Sequence, residues 1–441
     1  MSLLPLALLL GCGAFPDLEA TPGARIATTL SVSWSGEPGQ DAWVDYGLGE
    51  LTHRAPAHFA DGRYFATLVG FPALSEVTFR PGQQVGDEEL LGDTRAAEVG
   101  LPPAGLPTFT PLAGDWAGAA DELILTTTIG QEGGNVLLLN PDGEVVWYLT
   151  FQSRYAPVHA EASRDGDGLV YNFLVRENEE EAGLCQVELS GAKRFCVSVP
   201  NSHHGFAQLP EGRYAMLVSD TRLIGEKLVE GDALIEVATN GDSFVLYTPW
   251  DHLEWDPDVQ PDTDGYVEWT HANGVFYDEV EETVLVSMRN LSTIVRVDVT
   301  SAELLAIYGG VEGWGFPRPI DSFLYAHGPA FAADGQLLVF DNQDVRKNDP
   351  SRVMRYTLNA ELERLEPTYT YYPDDGRSVS VLGSVYELDN GDLFTSWGSS
   401  GEILRLTPEA ELAWGLGSEA GFILGAAQVV PAFAPRIDAL D

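Results

Sequence analysis

Four of the eight histidines in this 441-residue chain fall at corresponding positions of a repeated pattern. They are His159, His204, His271 and His327. Arg289 lies at the end of the third repeat segment and Asn342 at the end of the fourth. Imidazoles and a guanidinium that converge on one point can bind a tetrahedral oxyanion, and a neutral imidazole among them can act as a nucleophile.

The elements that position these residues are short strands. Segments starting at residues 159, 204, 271, 327 and 383 align, with separations of 45, 67, 56 and 56 residues. Each segment reads as a strand, a turn and a second strand, and two further strands follow it. Four strands per repeat predict the blades of a β-propeller, in which the first strand of each blade lines the central channel. The aligned histidines should therefore surround the channel at one height.

The blade count follows from the strands that remain. Residues 122–150 supply only three strands, and the segment FILGAAQVV (residues 422–430) can supply the missing innermost one. This arrangement closes a ring of six blades and leaves no exposed strand edge. We therefore predict an all-β chain, with a small N-terminal β-sandwich over residues 20–105, a Pro-rich linker near residues 101–112, and a six-bladed propeller over residues 110–441.

The composition limits the partners. The chain has a net charge of −43, which repels nucleic acid and anionic membrane surfaces. An anionic substrate would need a local cationic site against this background. The loop at residues 255–265 contains four aspartates, Asp256, Asp258, Asp262 and Asp264, but their spacing matches no calcium motif, so we predict a solvated loop and no metal.

The three cysteines indicate export. Residues 1–12 form an apolar run that ends at Leu9-Leu10-Gly11-Cys12, which resembles a lipobox and predicts a lipoprotein signal and tether over residues 1–19, with lipidation at Cys12. The run is too short to span a bilayer. A hairpin turning between Ser190 and Gly191 would place Cys185 opposite Cys196, which predicts a disulfide in an oxidising compartment, or a free buried pair if the chain is not exported.

Three interpretations of the histidines compete. They could fill the channel and bond only to backbone, they could bind zinc, or one could be a nucleophile while its neighbours hold a charged group. Arg289 disfavours zinc, because a fixed cation beside a metal dication is unfavourable. The arginine, and the absence of a carboxylate at the aligned positions, favour the nucleophile.

Three segments carry a family resemblance: EWTHANGVFYDEVEETVLVSMRN, AHGPAFAADGQLLVFDNQ and GSVYELDNGDLFTSWGSSGEI. They resemble the bacterial aryl sulfotransferases, also called arylsulfate sulfotransferases, over most of residues 110–440. The resemblance implies a six-bladed propeller with an N-terminal sandwich, exported to the periplasm. It also implies transfer of a sulfuryl group from an aryl sulfate to a phenol through a sulfohistidine, without PAPS, metal or any other cofactor.

The motifs imply a role for each site residue. His327, in AHGPAF, takes the position of the nucleophile. His271 and Arg289 would hold the sulfate oxygens, His204 would join them or move a proton, and Asn273 would orient the group. This chain departs from the family in having Ala326 where a glutamine usually precedes the nucleophile. His159 has no counterpart among these roles and is expected to line the channel.

These observations predict an exported, lipid-anchored enzyme, periplasmic or held at the outer membrane, that acts on small phenols and aryl sulfates. Trp255, Trp314 and Tyr325, in loops between blades, could form an aromatic rim for such substrates or pack between blades. The alternative is a non-catalytic surface lipoprotein, a propeller used for binding or adhesion. An open pocket surrounded by the site residues would favour the enzyme, and side chains sealed by packing would favour the binding protein.

Overall fold

The computed structural model describes residues 15, 17–119, 121–131, 133–152, 154–175, 181–255, 266–310 and 312–437. Within these ranges the chain forms β-strands and short 3-10 turns, and contains no α-helix. The turns are Pro210–Gly212, Pro249–Asp251, Pro319–Asp321, Val345–Lys347 and Gly398–Ser400. The predicted lipidation site Cys12 and the aspartates of the 255–265 loop lie outside the described residues.

Nine strands form two antiparallel sheets at the N-terminal end of the described chain. They are β1 (Glu19–Pro22), β2 (Leu30–Ser35), β3 (Ala42–Gly47), β4 (His53–Pro56), β5 (His58–Ala60), β6 (Arg63–Leu68), β7 (Glu76–Val85), β8 (Glu88–Leu91) and β9 (Arg95–Glu98). One sheet has the order β1-β2-β6-β5, and the other has the order β4-β3-β7-β8 with β9 also paired to β7. Alternate residues of the two sheets, such as Trp34 and Val44, share one buried core, as expected for a β-sandwich.

The remaining strands form six further sheets. The strands are β10 (Phe109–Ala113), β11 (Leu123–Gly130), β12 (Gly133–Leu139), β13 (Val145–Gln152), β14 (Tyr155–Ala162), β15 (Gly168–Val175), β16 (Gly183–Glu188), β17 (Lys193–Ser198), β18 (Ser202–Leu209), β19 (Arg213–Ile224), β20 (Lys227–Ala238), β21 (Ser243–Tyr247), β22 (Tyr266–Glu268), β23 (Ala272–Asp278), β24 (Thr283–Met288), β25 (Thr293–Asp298), β26 (Leu304–Gly309), β27 (His327–Phe331), β28 (Leu337–Asp341), β29 (Arg352–Asn359), β30 (Arg364–Tyr371), β31 (Ser384–Glu387), β32 (Leu393–Ser396), β33 (Glu402–Leu406), β34 (Leu412–Ser418) and β35 (Ile423–Val430).

These six sheets are arranged as a ring of blades. Strands β14–β17, β18–β21, β23–β26 and β27–β30 form the second to fifth blades in simple meander order, and β22 pairs with β20 in the third. The innermost strands of successive blades contact one another, from β14 through β18, β23, β27 and β31 to β35. The prediction of an all-β propeller is therefore confirmed.

The ring closes in the first and sixth blades. Strand β35 pairs antiparallel with β11 in the first blade, whose order is β13-β12-β11-β35, so the segment at residues 422–430 does supply the innermost strand. The sixth blade has five strands, because β10 pairs with β34 at its outer edge. The sequence pattern had placed β10 in a linker. Because β10 pairs with β34, the outer edge of β34 does not expose unpaired backbone N–H and C=O groups.

A disulfide fixes the outer half of the second blade. Cys185 of β16 lies opposite Cys196 of β17, and the two sulfurs are bonded with their Cα atoms 4.1 Å apart. The hairpin between the strands turns at Gly191, which has a φ of 78° that favours glycine. The predicted disulfide is therefore confirmed.

Candidate active site

A cavity of about 400 Å³ occupies the axis of the propeller. Residues from the innermost strands β14, β18, β23, β27 and β35 line it, together with Gly383 and the first residues of β31. Among the predicted site residues, His204, Asn273 and His327 line this cavity, as does His159. His271 and Arg289 do not belong to the lining, but both lie close enough to act electrostatically on His204 and His327.

Irregularities in the inner strands turn these residues toward the axis. The register between first and second strands shifts near each aligned histidine, between Pro157 and Ala160, His203 and Phe206, Ala272 and Gly274, and His327 and Ala330. A β-bulge inserts an unpaired residue and re-aims the side chains around it. His204 and His271 also have positive φ angles of 52° and 49°, which non-glycine residues adopt at a cost in free energy. The repeat thus preserves a bulge as well as a residue type.

Hydrogen bonds determine which nitrogen of His327 is available for chemistry. Its Nδ1 lies 2.8 Å from Oδ1 of Asn342. The Nδ2 of Asn342 donates to the carbonyl oxygens of Val379 and Leu382, at 2.9 and 3.0 Å, so its Oδ1 faces His327 as an acceptor. His327 must therefore carry its proton on Nδ1, which leaves a lone pair on Nε2.

His327 is also kept uncharged. The residue is 3% exposed, and its burial, together with the nearby charges of His271 and Arg289, lowers its pKa to about 3, although the hydrogen bond with Asn342 acts in the opposite direction. Burial and neighbouring cations both disfavour the protonated ring. At neutral pH this histidine therefore presents an unprotonated Nε2, as a nucleophile requires.

His204 belongs to a chain of three groups. Its Nδ1 lies 2.9 Å from Nδ1 of His203, and Nε2 of His203 lies 2.9 Å from Oδ1 of the buried Asp232. Burial lowers the pKa of His204 well below its ordinary value, and the nearby His203, His271 and Arg289 lower it further. His203 does not share the repeat position of the four aligned histidines, and Asp232 lies outside the repeat segments that predicted the site.

His271 and Arg289 lie together on one side of the cluster. The ring of His271 lies 5.0 Å from that of His204, and its Nδ1 lies 2.6 Å from a carboxylate oxygen of Glu268. The hydrogen bond with His271 is the main reason that the pKa of Glu268 is lowered, so this carboxylate is ionised. The backbone N–H of Arg289 donates to the carbonyl oxygen of His271, which ties the two residues together.

Tyr325 lies on the other side of Arg289. The guanidinium carbon of Arg289 is 5.2 Å from the centroid of the Tyr325 ring, within the range of a cation–π contact. Of the three aromatic residues considered for a rim, Tyr325 is the one placed beside the cluster. Trp314 instead packs edge-on against Tyr308 in a buried core, and Trp255 packs beside the buried Val229, Val267 and Trp269.

Asn273 connects two blades. Its Nδ2 donates to the carbonyl oxygen of Ala326, at 3.1 Å, and its Oδ1 accepts from the hydroxyl of Ser287, at 2.5 Å. Because Ala326 immediately precedes His327, this bond positions the backbone of His327. The geometry therefore favours a positioning role for Asn273 over direct contact with a substrate.

A carboxylate also lies in the channel, outside the aligned positions. Glu161, on the same strand as His159 and two residues further along it, lines the cavity. Its Oε1 lies 3.1 Å from Nε2 of His159, and its Oε2 accepts from the side-chain amide of Gln208 at 2.9 Å. The aligned positions themselves hold no acid. Glu161 faces the channel because side chains two residues apart on a β-strand point to the same side, which here is the side of His159.

In the described part of the chain, no helix is long and apolar enough to cross a membrane. No three histidine, cysteine or carboxylate side chains there converge as the ligands of a metal ion.

Fold and site together define an all-β propeller whose axial cavity is lined by histidines and flanked by a fixed cation. A sequence model of the arylsulfotransferase (ASST) family matches residues 112–410, which is more than half of the chain. The chain therefore belongs to the arylsulfotransferase family. Among curated proteins, none matches this sequence.

Solved structures that are similar to this chain match it at low sequence identity. A protein of unknown function from Bacteroides caccae is 13% identical, with a TM-score of 0.45 over 69% of this chain and 98% of its own. The periplasmic gluconolactonase of Pseudomonas aeruginosa is also 13% identical, with a TM-score of 0.40 over 70% and 99%. A streptogramin B lyase is 11% identical, with a TM-score of 0.40 over 73% and 98%.

Proposed function

We propose that this member of the arylsulfotransferase family transfers a sulfuryl group from an aryl sulfate to a phenolic acceptor through a sulfohistidine at His327. The observation that carries this proposal is the state of His327: its Nδ1 is committed to Asn342, its pKa is lowered to about 3, and it lines an axial cavity. A neutral imidazole with a free Nε2 is the form that attacks sulfur.

In the first half of the proposed reaction, Nε2 of His327 attacks the sulfur of the donor and the bond from sulfur to the aryl oxygen breaks. Negative charge develops on the sulfuryl oxygens and on the departing phenolate. The fixed charge of Arg289 and the nearby His271 would stabilise the oxygens. In the second half, the oxygen of an acceptor phenol attacks sulfur, and His327 is released unchanged. The sequence of steps requires no nucleotide.

The cavity suits an aryl group. Phe276, Tyr277 and Tyr386 contribute aromatic surface to its lining. Aromatic walls bind a flat ring by burial and by edge or face contacts. The alternative, a non-catalytic binding propeller, is less well supported, because a buried histidine with a fixed tautomer facing an open cavity has an evident chemical use.

The test is to incubate the purified protein with 4-nitrophenyl sulfate, with and without added phenol, and to follow release of nitrophenolate. We expect release that depends on the acceptor, phenyl sulfate as product, and transiently sulfated His327 in peptides analysed by mass spectrometry. Nitrophenolate release at the same rate with and without phenol would indicate a hydrolase. If no donor in a series of aryl sulfates were turned over, a binding propeller would become the better proposal.

We also propose that the protein is exported and anchored by a lipid on Cys12. The lipobox-like sequence and the disulfide between Cys185 and Cys196 support this location, since structural disulfides persist in oxidising compartments. Expression of the full chain in a bacterial host with labelled palmitate tests the anchor. Label should enter the wild type and not the Cys12→Ala variant; equal labelling, or none in either, would contradict it.

A further inference from the structure

His204 is linked through His203 to a carboxylate that lies away from the cavity. The two Nδ1 atoms of the histidine pair are 2.9 Å apart, and the second nitrogen of His203 is 2.9 Å from Asp232 Oδ1. Asp232 lies on β20, in the same blade as both histidines, and is 4% exposed. Three polar groups thus form a line from the blade interior to the cavity.

The carboxylate is held in its ionised form. Besides His203, it accepts from the Thr270 hydroxyl and from the backbone N–H of Ala272, each at 2.5 Å. Burial on its own would raise the pKa of Asp232, but the hydrogen bonds outweigh burial and lower it. An ionised carboxylate has no proton to give, so the 2.9 Å contact between Nε2 of His203 and Oδ1 of Asp232 is favourable when Nε2 carries the proton.

The contact between the histidines then has two forms. When His203 is neutral, its Nδ1 has a lone pair, so His204 donates from Nδ1 and has a bare Nε2. When His203 gains a proton, its Nδ1 donates instead, and His204 holds its own proton on Nε2. One proton on His203 therefore converts the free nitrogen of His204 from an acceptor into a donor.

We propose that Asp232 and His203 are positioning residues of a proton relay through which His204 protonates the departing phenolate and then deprotonates the acceptor phenol. This inference rests on the proposed function of the same cavity. The relay gives a role to Asp232 and His203, which neither contact the sulfuryl group nor line the cavity.

The proton balance is closed within one cycle. As the bond from sulfur to the donor oxygen breaks, the Nε2 proton of His204 passes to the phenolate, and the Nδ1 proton of His203 passes to Nδ1 of His204. The products of this half are a neutral phenol, a neutral His203 and sulfated His327. The acceptor phenol later gives its proton to Nε2 of His204, the Nδ1 proton returns to His203, and the phenol oxygen takes the sulfuryl group from His327.

The surroundings explain why the stored proton resides on His203. Burial lowers the pKa of His204 well below its ordinary value, and the neighbouring His203, His271 and Arg289 lower it further, so His204 is a poor place to keep an extra proton. His203 faces Asp232, and the partly buried Glu230 lies on the same strand as Asp232, with the exposed Glu268 on the paired strand β22. Burial and the nearby Asp232 and Glu268 raise the pKa of Glu230, although the Ser219 hydroxyl, which donates to it at 2.6 Å, acts in the opposite direction. The pKa of Asp232 is lowered, so Asp232 is the more acidic of these two carboxyl groups.

The experiment compares donors whose leaving phenolates differ in basicity. A poor leaving group needs the proton, whereas 4-nitrophenolate is stable without it. For the His203→Gln variant we expect kcat with phenyl sulfate to fall by about 10²-fold or more, the range for loss of general acid catalysis. With 4-nitrophenyl sulfate we expect only a few-fold loss in formation of sulfated His327. In Asp232→Asn the rate should likewise depend more steeply on the basicity of the leaving phenolate. An amide at this position would donate to His203 and fix the wrong tautomer.

The matched control is His53→Gln, which removes a histidine of the N-terminal sandwich that lies 2.9 Å from Asp121 and does not line the cavity. It should leave both donors unaffected. Equal losses for both donors in His203→Gln, or no loss for either, would overturn the relay, with thermal unfolding of each variant measured alongside. Failure of the proposed function is distinguishable, since the wild type would then form no sulfated His327 with either donor.

Discussion

The third and fifth blades each present one histidine to the central cavity, but they hold it with different partners. In the fifth blade a neutral amide, Asn342, accepts from His327 and adds no charge. In the third blade an ionised carboxylate, Asp232, stands behind His203 and His204. An amide fixes a tautomer, and a carboxylate can in addition stabilise a passing proton. The same repeat thus gives one histidine suited to attack sulfur and another suited to move protons.

The largest expected effect comes from removing the attacking histidine. His327→Ala should lower transfer from 4-nitrophenyl sulfate to phenol by at least about 10³-fold, because no other described cavity histidine has its Nδ1 committed to a neutral amide. Nitrophenolate release and mass spectrometry of the protein measure this. His53→Ala serves as the control, and substantial turnover by His327→Ala would mean that another residue is the nucleophile.

A second prediction concerns Arg289, whose charge acts on both His204 and His327. Arg289→Met should lower kcat/KM by about 10²-fold, the usual loss when one group that stabilises developing oxyanion charge is removed. Arg289→Lys should recover part of this loss, because it restores charge without the planar donors. Steady-state kinetics with one donor measure both. Arg194→Met, which removes an exposed ion pair of the second blade, should match the wild type; if Arg289→Met also matched it, the cation would have no part in transfer.

A third prediction replaces the amide partner of His327 by a carboxylate, the kind of partner that His203 has. Asn342→Asp puts a carboxylate beside His327, which should raise its pKa from about 3 toward neutrality. Below the raised pKa the ring is protonated and cannot attack, so activity should be lost as the pH falls and recovered as it rises. The wild type should show no such acidic loss from His327 near neutral pH. Rates of sulfated His327 formation across a pH series measure the difference, and identical profiles would show that the charge of the side chain at position 342 does not control protonation of His327.

The smallest effect on activity is expected from the outer strands. The double variant Cys185→Ser, Cys196→Ser should lose about 2–4 kcal/mol of unfolding free energy, because the unfolded chain is no longer constrained. Its kcat at room temperature should remain close to that of the wild type, since both cysteines lie on the third and fourth strands of their blade. Urea unfolding with and without a reductant measures the stability. A large loss of activity in a variant that is still fully folded would show that the geometry of the inner strands depends on the outer strands.

Much of the fold could be predicted because the repeat is visible in the sequence. His204 and His327 share a position in the repeat and both line the cavity, whereas His271, at the same position, lies beside it. The first blade showed only three strands in its own part of the sequence, which required a partner strand such as β35. Strand β10 was missed because its partner β34 lies about three hundred residues away, and nothing local in a Pro-rich segment signals such a pairing.

The partners of the histidines were harder to predict. Asp232 reaches His203 across two strand pairings, and spacing along the chain does not encode that distance. The available signal was a carboxylate in an apolar stretch of strand, Gly231-Asp232-Ala233-Leu234, since a buried acid there needs compensating donors. Glu268 lies only three residues before His271 and could have been considered from the sequence. The roles assigned to these residues, and lipidation at Cys12, remain predictions.

The pairing of β11 with β35 has a consequence for the order of assembly. The two strands lie about three hundred residues apart, so a chain made from its N-terminus cannot complete the first blade until nearly all of the others have emerged. Until then β11 presents an open strand edge that can pair with another chain. A chain that ends before residue 423 would therefore lack the innermost strand of its first blade and leave an aggregation-prone ring with a gap.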